Sequence, residues 1–189
     1  MGRTARQYTF DSIACNGRSR THRIAASSLF AAATLALPAT ALAETKLALD
    51  LDWVGGIDES GVDAGGGGAL RLGQELDLIL VSLTPEIGAS YHTFGGPSDL
   101  THTSGFLGAR IAFGKVLEPG VFAHLGVGHL SGAADFSETA ASVDAGVTLD
   151  FTLLPIIDIG AHAAYDALLI SDADAFDWYR VGLHAAVGF

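Results

Sequence analysis

Trp178-Tyr179-Arg180-Val181-Gly182-Leu183-His184-Ala185-Ala186-Val187-Gly188-Phe189 closes the chain. Counted back in twos from the end, Phe189, Val187, Ala185, Leu183, Val181 and Tyr179 are all apolar or aromatic. The residues between them, Gly188, Ala186, His184, Gly182 and Arg180, are small, polar or charged. A period of two is the period of a β-strand with two unlike faces. The length suits a tilted membrane-spanning strand, which needs about 9–11 residues. Phe189 and Tyr179 share a face, so their rings can mark the two interfaces of a membrane.

The same alternation runs through the chain from Thr45. Leu47, Leu49, Leu51 and Trp53 oppose Lys46, Ala48, Asp50 and Asp52. A polar acidic loop follows at Ile57 to Gly61, then a glycine run, Gly65 to Gly68, entering a second strand with Leu70 and Leu72 against Arg71. The glycine run is no phosphate loop, since no Lys-Ser/Thr pair follows it and no helix pattern begins. Glycines on the inner wall of a narrow barrel leave room for larger neighbours.

A turn is expected over Gln74 to Leu80. The third strand, Ser82 to Phe94, sets Leu83, Pro85, Ile87, Ala89 and Tyr91 against Thr84, Glu86, Gly88, Ser90 and His92. Pro85 donates no hydrogen bond, which places it near the strand's start or at a bulge. After the Gly95-Gly96-Pro97-Ser98-Asp99 loop, the fourth strand carries Leu107 to Phe113, with Arg110 on the polar face. Leu117-Glu118-Pro119-Gly120 reads as a tight turn. The fifth strand follows with Val121, Ala123, Leu125 and Val127 against Phe122, His124, Gly126 and Gly128. Beyond a loop at Ser131 to Glu138, the sixth runs from Ala141 to Phe151, with Asp144 and Asp150 opposing its apolar set. A turn at Leu153 to Pro155 leads to the seventh, Ile157 to Tyr165, with Asp158 and His162 on its polar face.

Eight strands with alternating long and short connections predict an all-β, eight-stranded antiparallel up-and-down transmembrane β-barrel. The long connections, near Asp58, Pro97, Asp135 and Asp172, are expected outside the cell. The short ones, near Leu76, Glu118 and Leu154, are expected in the periplasm. The region resembles the small eight-stranded outer-membrane families such as OmpX and the membrane domain of OmpA, which share a porin-like fold. That resemblance implies a Gram-negative outer membrane, contact with its lipid and lipopolysaccharide, and a meeting with the barrel-assembly machinery. In those families the closing strand ends on a Phe read as an assembly signal, a role that falls here on Tyr179, Val181, Leu183, Ala185, Val187 and Phe189.

Residues 1–43 read as a signal peptide. Arg18, Arg20 and Arg23 precede an apolar run from Ile24 to Leu37, Pro38 breaks it, and Ala41-Leu42-Ala43 offers a cleavage site. That leaves 44–189 as the barrel domain. The lone Cys15 lies before the apolar run, so the mature barrel has neither a disulfide nor a thiol metal site. Of ten Lys and Arg, five fall in the leader; of 21 Asp and Glu, only Asp11 does. The remaining five basic and 20 acidic residues argue against nucleic-acid binding, which needs cations for phosphates.

Which face looks inward decides between a membrane barrel and a secreted, lipocalin-type ligand-binding barrel. The charged face is dominated by Gly, Ala and Ser and carries both signs near strand middles, which suits a crowded lumen. The expected lumen network is Asp50, Asp52, Arg71, Glu86, Arg110, His124, Asp144, Asp158, His162, Arg180 and His184. With the turn centred near Leu78–Ile79, Arg71 and Glu86 fall opposite each other, and Arg180 reaches Asp50 or Asp52 across the closure. Eight strands leave an interior that side chains fill, so the network is expected to plug the lumen.

Two other chemistries have weaker support. His129-Leu130-Ser131 resembles the His-x-Ser pair of the lipid A deacylase family of PagL, and a His beside a Ser can make an activated nucleophile. The match is two residues long, Gly132 stands where that family places an Asn, and the nearest acids are Glu138 and Asp144. His92, His102, His124, His162 and His184 fall on different strands with no close sequence pair, so no metal or cofactor is expected. Acidic loop residues (Asp58, Glu59, Asp63, Asp99, Asp135, Glu138, Asp172, Asp174) can bind cations that also bridge lipopolysaccharide phosphates, or simply keep the loops solvated. No loop partner is named by any motif.

Overall fold

A computed structural model of the chain describes residues 43–55, 62–78, 80–133, 136–154, 156–170 and 175–189. The expected signal peptide as far as residue 42, with Cys15, and the loop acids Asp58, Glu59, Asp135, Asp172 and Asp174 lie outside the described residues. Eight strands follow in order: β1 Ala43–Gly55, β2 Asp63–Leu78, β3 Val81–Gly95, β4 Thr101–Phe113, β5 Leu117–Ser131, β6 Ser137–Leu154, β7 Ile157–Leu169 and β8 Phe176–Gly188. Each pairs antiparallel with its sequence neighbour, and β8 closes on β1, giving an up-and-down barrel. The closure runs from Lys46↔Gly188 to Gly55↔Tyr179. Beyond it, the Thr45 and Phe189 amides each donate to the other's carbonyl at 3.0 Å, so the terminal residue is tied into the wall.

The expected asymmetry of connections is present. Two or three residues separate β2 from β3, β4 from β5 and β6 from β7, whereas five to seven separate the other pairs. Several boundaries differ from the pattern reading. β2 continues through Gln74 to Leu78, and Leu117-Glu118-Pro119-Gly120 opens β5 instead of turning. The turn before β5 is made by Gly114, at a φ of 121° that only glycine adopts without strain, and its amide donates to the Leu80 carbonyl at 3.1 Å. Those stretches look turn-like because Gln74, Glu75 and Asp77 interrupt the apolar pattern of β2 and Pro119-Gly120 follows Glu118, yet both segments stay paired in the sheet. Pro85 is the fifth residue of β3, and the β2–β3 register stays in step on either side of it, from Gly73↔Glu86 to Leu76↔Leu83.

The two faces divide as the alternation requires. Leu51, Leu125, Val127 and Leu183 are each 60% exposed or more, in a belt of outward apolar side chains that includes every strand. Trp53, Tyr91, Tyr165 and Tyr179 stand on the outer wall toward the long connections, and Phe113, Phe151 and Phe189 toward the short turns. A soluble lipocalin-type barrel would need the reverse arrangement, apolar inside and polar outside.

Candidate functional site: the filled lumen

Period-two alternation points Asp50, Asp52, Arg71, Glu86, His124, His162, Arg180 and His184 inward, and all are buried. Arg110, Asp144 and Asp158 face the same way and are half-buried. The lumen they share has three levels.

Toward the long connections it is apolar. Val54, Val62, Phe94, Leu100, Leu130, Leu168, Phe176 and Trp178 form a buried cluster. Phe94 meets Phe176 and Trp178 edge-on at centroid distances of 5.6 Å, a favoured aromatic geometry. Below it, His92 and His102 stack at 6.2 Å with ring planes 9° apart, and Trp178 packs edge-on against His102 at 4.8 Å.

The middle level is ionic. Arg71 binds Asp50 through two bonds, Nε to Oδ2 and Nη2 to Oδ1, both 2.8 Å, and donates from Nη1 to Glu86 Oε2 at 2.8 Å. This fork geometry is what a guanidinium offers and an ammonium does not. The expected direct Arg71–Glu86 pairing needs correction: Arg71 is opposite Gly88 and Glu86 opposite Gly73. The turn is centred one residue later than expected, so the two charges meet diagonally, which long side chains bridge easily. Glu86 Oε1 also meets His124 Nε2 at 2.8 Å, and His124 Nδ1 meets Asp144 Oδ1 at 2.8 Å. A neutral ring can donate from only one of those nitrogens, so both contacts are made as donations only when the ring carries both protons.

Arg180 stands among three acids. Its nitrogens lie 3.3 Å from Asp166, 3.5 Å from Asp144 and 3.7 Å from Asp52. Asp52 accepts from His92 Nε2 at 2.9 Å and His162 Nε2 at 2.7 Å. Arg110 donates to Asp150 Oδ2 at 3.2 Å, and its guanidinium lies 6.0 Å from the Phe122 ring centroid. Toward the short turns, Lys46 Nζ bridges Glu75 and Asp158, each at 2.6 Å. A cavity of about 40 Å³ lies between these two lower levels, lined in part by Lys46, Glu118, Asp150 and His184. It has room for a few waters and no more.

Asp150, Asp166, His92, His102, Lys46 and Glu75 belong to this interior although the expected network omitted them. Asp150 and His92 were visible on the polar faces of their strands. Asp166 and His102 lay beyond the strand ends read from apolar periodicity, because β4 begins at Thr101 and β7 runs on to Leu169.

Glycines make the space. A Cβ on Gly67 would come within 2.6 Å of the His92 ring, and one on Gly108 within 2.4 Å of the His124 ring. Both glycines sit directly across from those histidines in the ladder. The Gly-rich inner wall is thus the complement of the imidazoles.

His129 is on the other side of the wall. It is exposed, and its Nδ1 lies 2.8 Å from Thr139 Oγ1. Asp144 faces inward on His124, and Glu138 shares its parity on β6, so neither acid is on the face that His129 presents. The six residues of the expected assembly signal, Tyr179, Val181, Leu183, Ala185, Val187 and Phe189, all lie exposed on the outer wall of β8 and its end.

No protein-family model and no curated protein matches this sequence. Solved structures share its fold. Neisserial surface protein A (NspA) matches over 77% of this chain and 97% of its own, with 12% identity and a TM-score of 0.60. Ail, the attachment invasion locus protein of Yersinia pestis, matches over 79% and 100%, with 16% identity and a TM-score of 0.52. The chain therefore has the fold of the small eight-stranded outer-membrane barrels. The outer membrane enzyme PagL aligns at 19% identity over 75% of this chain and 98% of its own with a TM-score of 0.45, which decides nothing about His129 and Ser131.

Proposed function

We propose that the protein is an integral outer-membrane barrel whose lumen is plugged, non-enzymatic, and presented to the cell exterior through acidic loops in a structural or surface-interaction role. One observation carries this reading: the barrel is apolar outside and ionic inside. Soluble monomers rarely expose contiguous apolar patches beyond about 300–600 Å², whereas a belt around every strand is what a lipid-facing wall requires. The plug is supported by the apolar cluster at one end and the paired charges beneath it, since eight strands enclose only enough space for side chains. Export by a cleaved signal peptide, contact with lipopolysaccharide and delivery by the barrel-assembly machinery follow from the same reading. Asp63, Asp99 and Glu138 would bring acidity to the rim at the long connections.

The test combines location with permeability. The protein should fractionate with outer membranes, migrate faster unheated than heated on a gel, and carry no steady current in a planar bilayer. Recovery as a detergent-free soluble monomer would overturn the membrane reading, and stable open conductance would overturn the plug. Incubation with purified lipid A should leave its mass unchanged; loss of an acyl chain that depends on His129 and Ser131 would restore the hydrolase reading.

A further inference from the structure

Two short segments face each other at the seam of the barrel. Gly160-Ala161-His162 on β7 and Gly182-Leu183-His184 on β8 pair antiparallel, with Gly160 opposite His184 and His162 opposite Gly182. A Cβ on Gly160 would come within 2.6 Å of the His184 ring, and one on Gly182 within 2.7 Å of the His162 ring. Each histidine is thus seated over the other's glycine, and both are buried in the lumen. Their Nδ1 atoms face each other at 3.4 Å.

Each outer nitrogen has a carboxylate beside it. His162 Nε2 lies 2.7 Å from Asp52 Oδ1, and His184 Nε2 lies 2.7 Å from Asp150 Oδ1. A ring that donates from Nε2 to a carboxylate presents Nδ1 as its lone pair, so the two facing Nδ1 atoms can act together as metal ligands or share one proton between them. A tetrahedral zinc with Zn–N bonds of about 2.0–2.1 Å holds its nitrogens about 3.3–3.4 Å apart, which is the spacing found. A carboxylate oxygen of Asp50 and one ring nitrogen of each histidine also lie within 4.8 Å of one another. Carboxylates behind the distal nitrogens of ligating histidines are the usual means of fixing tautomer and ring orientation.

Charge points the same way. The middle level brings Asp50, Asp52, Glu86, Asp144, Asp150 and Asp166 against Arg71, Arg110 and Arg180. Six acidic side chains thus face three arginines, and buried charge without a partner is costly, so a cation at this level is favoured.

We propose that the lumen binds one divalent transition-metal ion of the zinc class between His162 and His184, with Asp50 as a third ligand. The ion joins β7, β8 and β1, the three strands at the closing seam, and so acts as a staple on barrel closure. Its approach is from the short-turn side, where His184 and Asp150 line the cavity.

The experiment uses the full barrel in detergent micelles, stripped with chelator and titrated with zinc against a chromophoric competitor, then with cobalt. One zinc per folded chain is expected, with visible absorption bands of tetrahedral cobalt and a higher thermal midpoint when loaded. His162→Gln and His184→Gln should each weaken zinc binding on the order of 100-fold, and Asp52→Asn, which acts through His162, by about 10–100-fold. Variants count only if they keep heat-modifiable gel migration. Should none fold, the parent decides through its zinc stoichiometry and cobalt spectrum. A folded parent that binds neither metal overturns the proposal, as does equal binding by a folded His162→Gln/His184→Gln double variant. A proton shared between the two Nδ1 atoms, seen as an imidazolium resonance that zinc does not perturb, overturns it as well.

Discussion

Phe94, Leu130, Leu168, Phe176 and Trp178 at the long-connection end, and Asp50, Arg71, Glu86, His124 and Arg180 below them, point into one lumen by one rule of alternation. The first group fills space by shape, and each side chain has many interchangeable neighbours. The second fills it by charge, and each member has one to three partners at fixed distances. Removing a member of the apolar group leaves a cavity that neighbours partly close. Removing a member of the ionic group leaves a desolvated charge that nothing nearby can replace. One barrel therefore has a tolerant end and an exacting middle.

Arg71→Ala is the hardest blow to that contrast and is expected to cost about 3–5 kcal/mol, the range for stranding a buried partner. Denaturant unfolding in lipid or detergent measures it. Asp50→Asn should recover more of the loss than Glu86→Gln, because two of the three Arg71 bonds go to Asp50 while Glu86 keeps His124. Equal recovery, or a double mutant whose loss is the simple sum of the singles, would show that the pairs do not act as a network.

Leu168→Ala probes the tolerant end. It should cost about 2–5 kcal/mol, the usual range for a buried Leu, yet leave bilayer current at zero because the ionic level beneath still closes the lumen. A current appearing in this variant would make the apolar cluster the true seal.

The outer wall offers a third comparison. Leu183 is 65% exposed and pairs with Leu51 and Ala161. Leu183→Arg should destabilise the barrel by about 2–4 kcal/mol in a bilayer if this position lies near mid-depth. An unchanged unfolding midpoint in lipid would mean that the belt does not face hydrocarbon.

The smallest expected effect is on stability and the largest on topology. Val116→Cys and Ala133→Cys sit at exposed positions at opposite ends of a barrel that contains no cysteine. An impermeant thiol reagent on whole cells should label the second and spare the first. Glu118, expected in a short turn, is unsuitable as a label site: it lies within β5 and accepts from Thr152 Oγ1 at 3.1 Å. The reverse labelling pattern would invert the barrel in the membrane.

The strand count, the two faces and the inward set of charges were legible in the chain because alternation is a local property, set by one strand's own pleat. The terminal WYRVGLHAAVGF stretch alone carried the outer face of β8, and the structure leaves each of its outward residues where the pattern put it. Strand ends were less legible, since Glu118-Pro119-Gly120 is made of turn-favouring residues yet stays paired with β6. What the chain could not disclose was which inward group meets which. Gly160-Ala161-His162 and Gly182-Leu183-His184 lie 22 residues apart and show no ligand spacing, yet the β7–β8 register sets one histidine over the other's glycine. Asp52 reaches His92 and His162 from a third strand. Those contacts depend on register and on closure of the whole barrel, and a shift of one residue would turn every one of them to the opposite face.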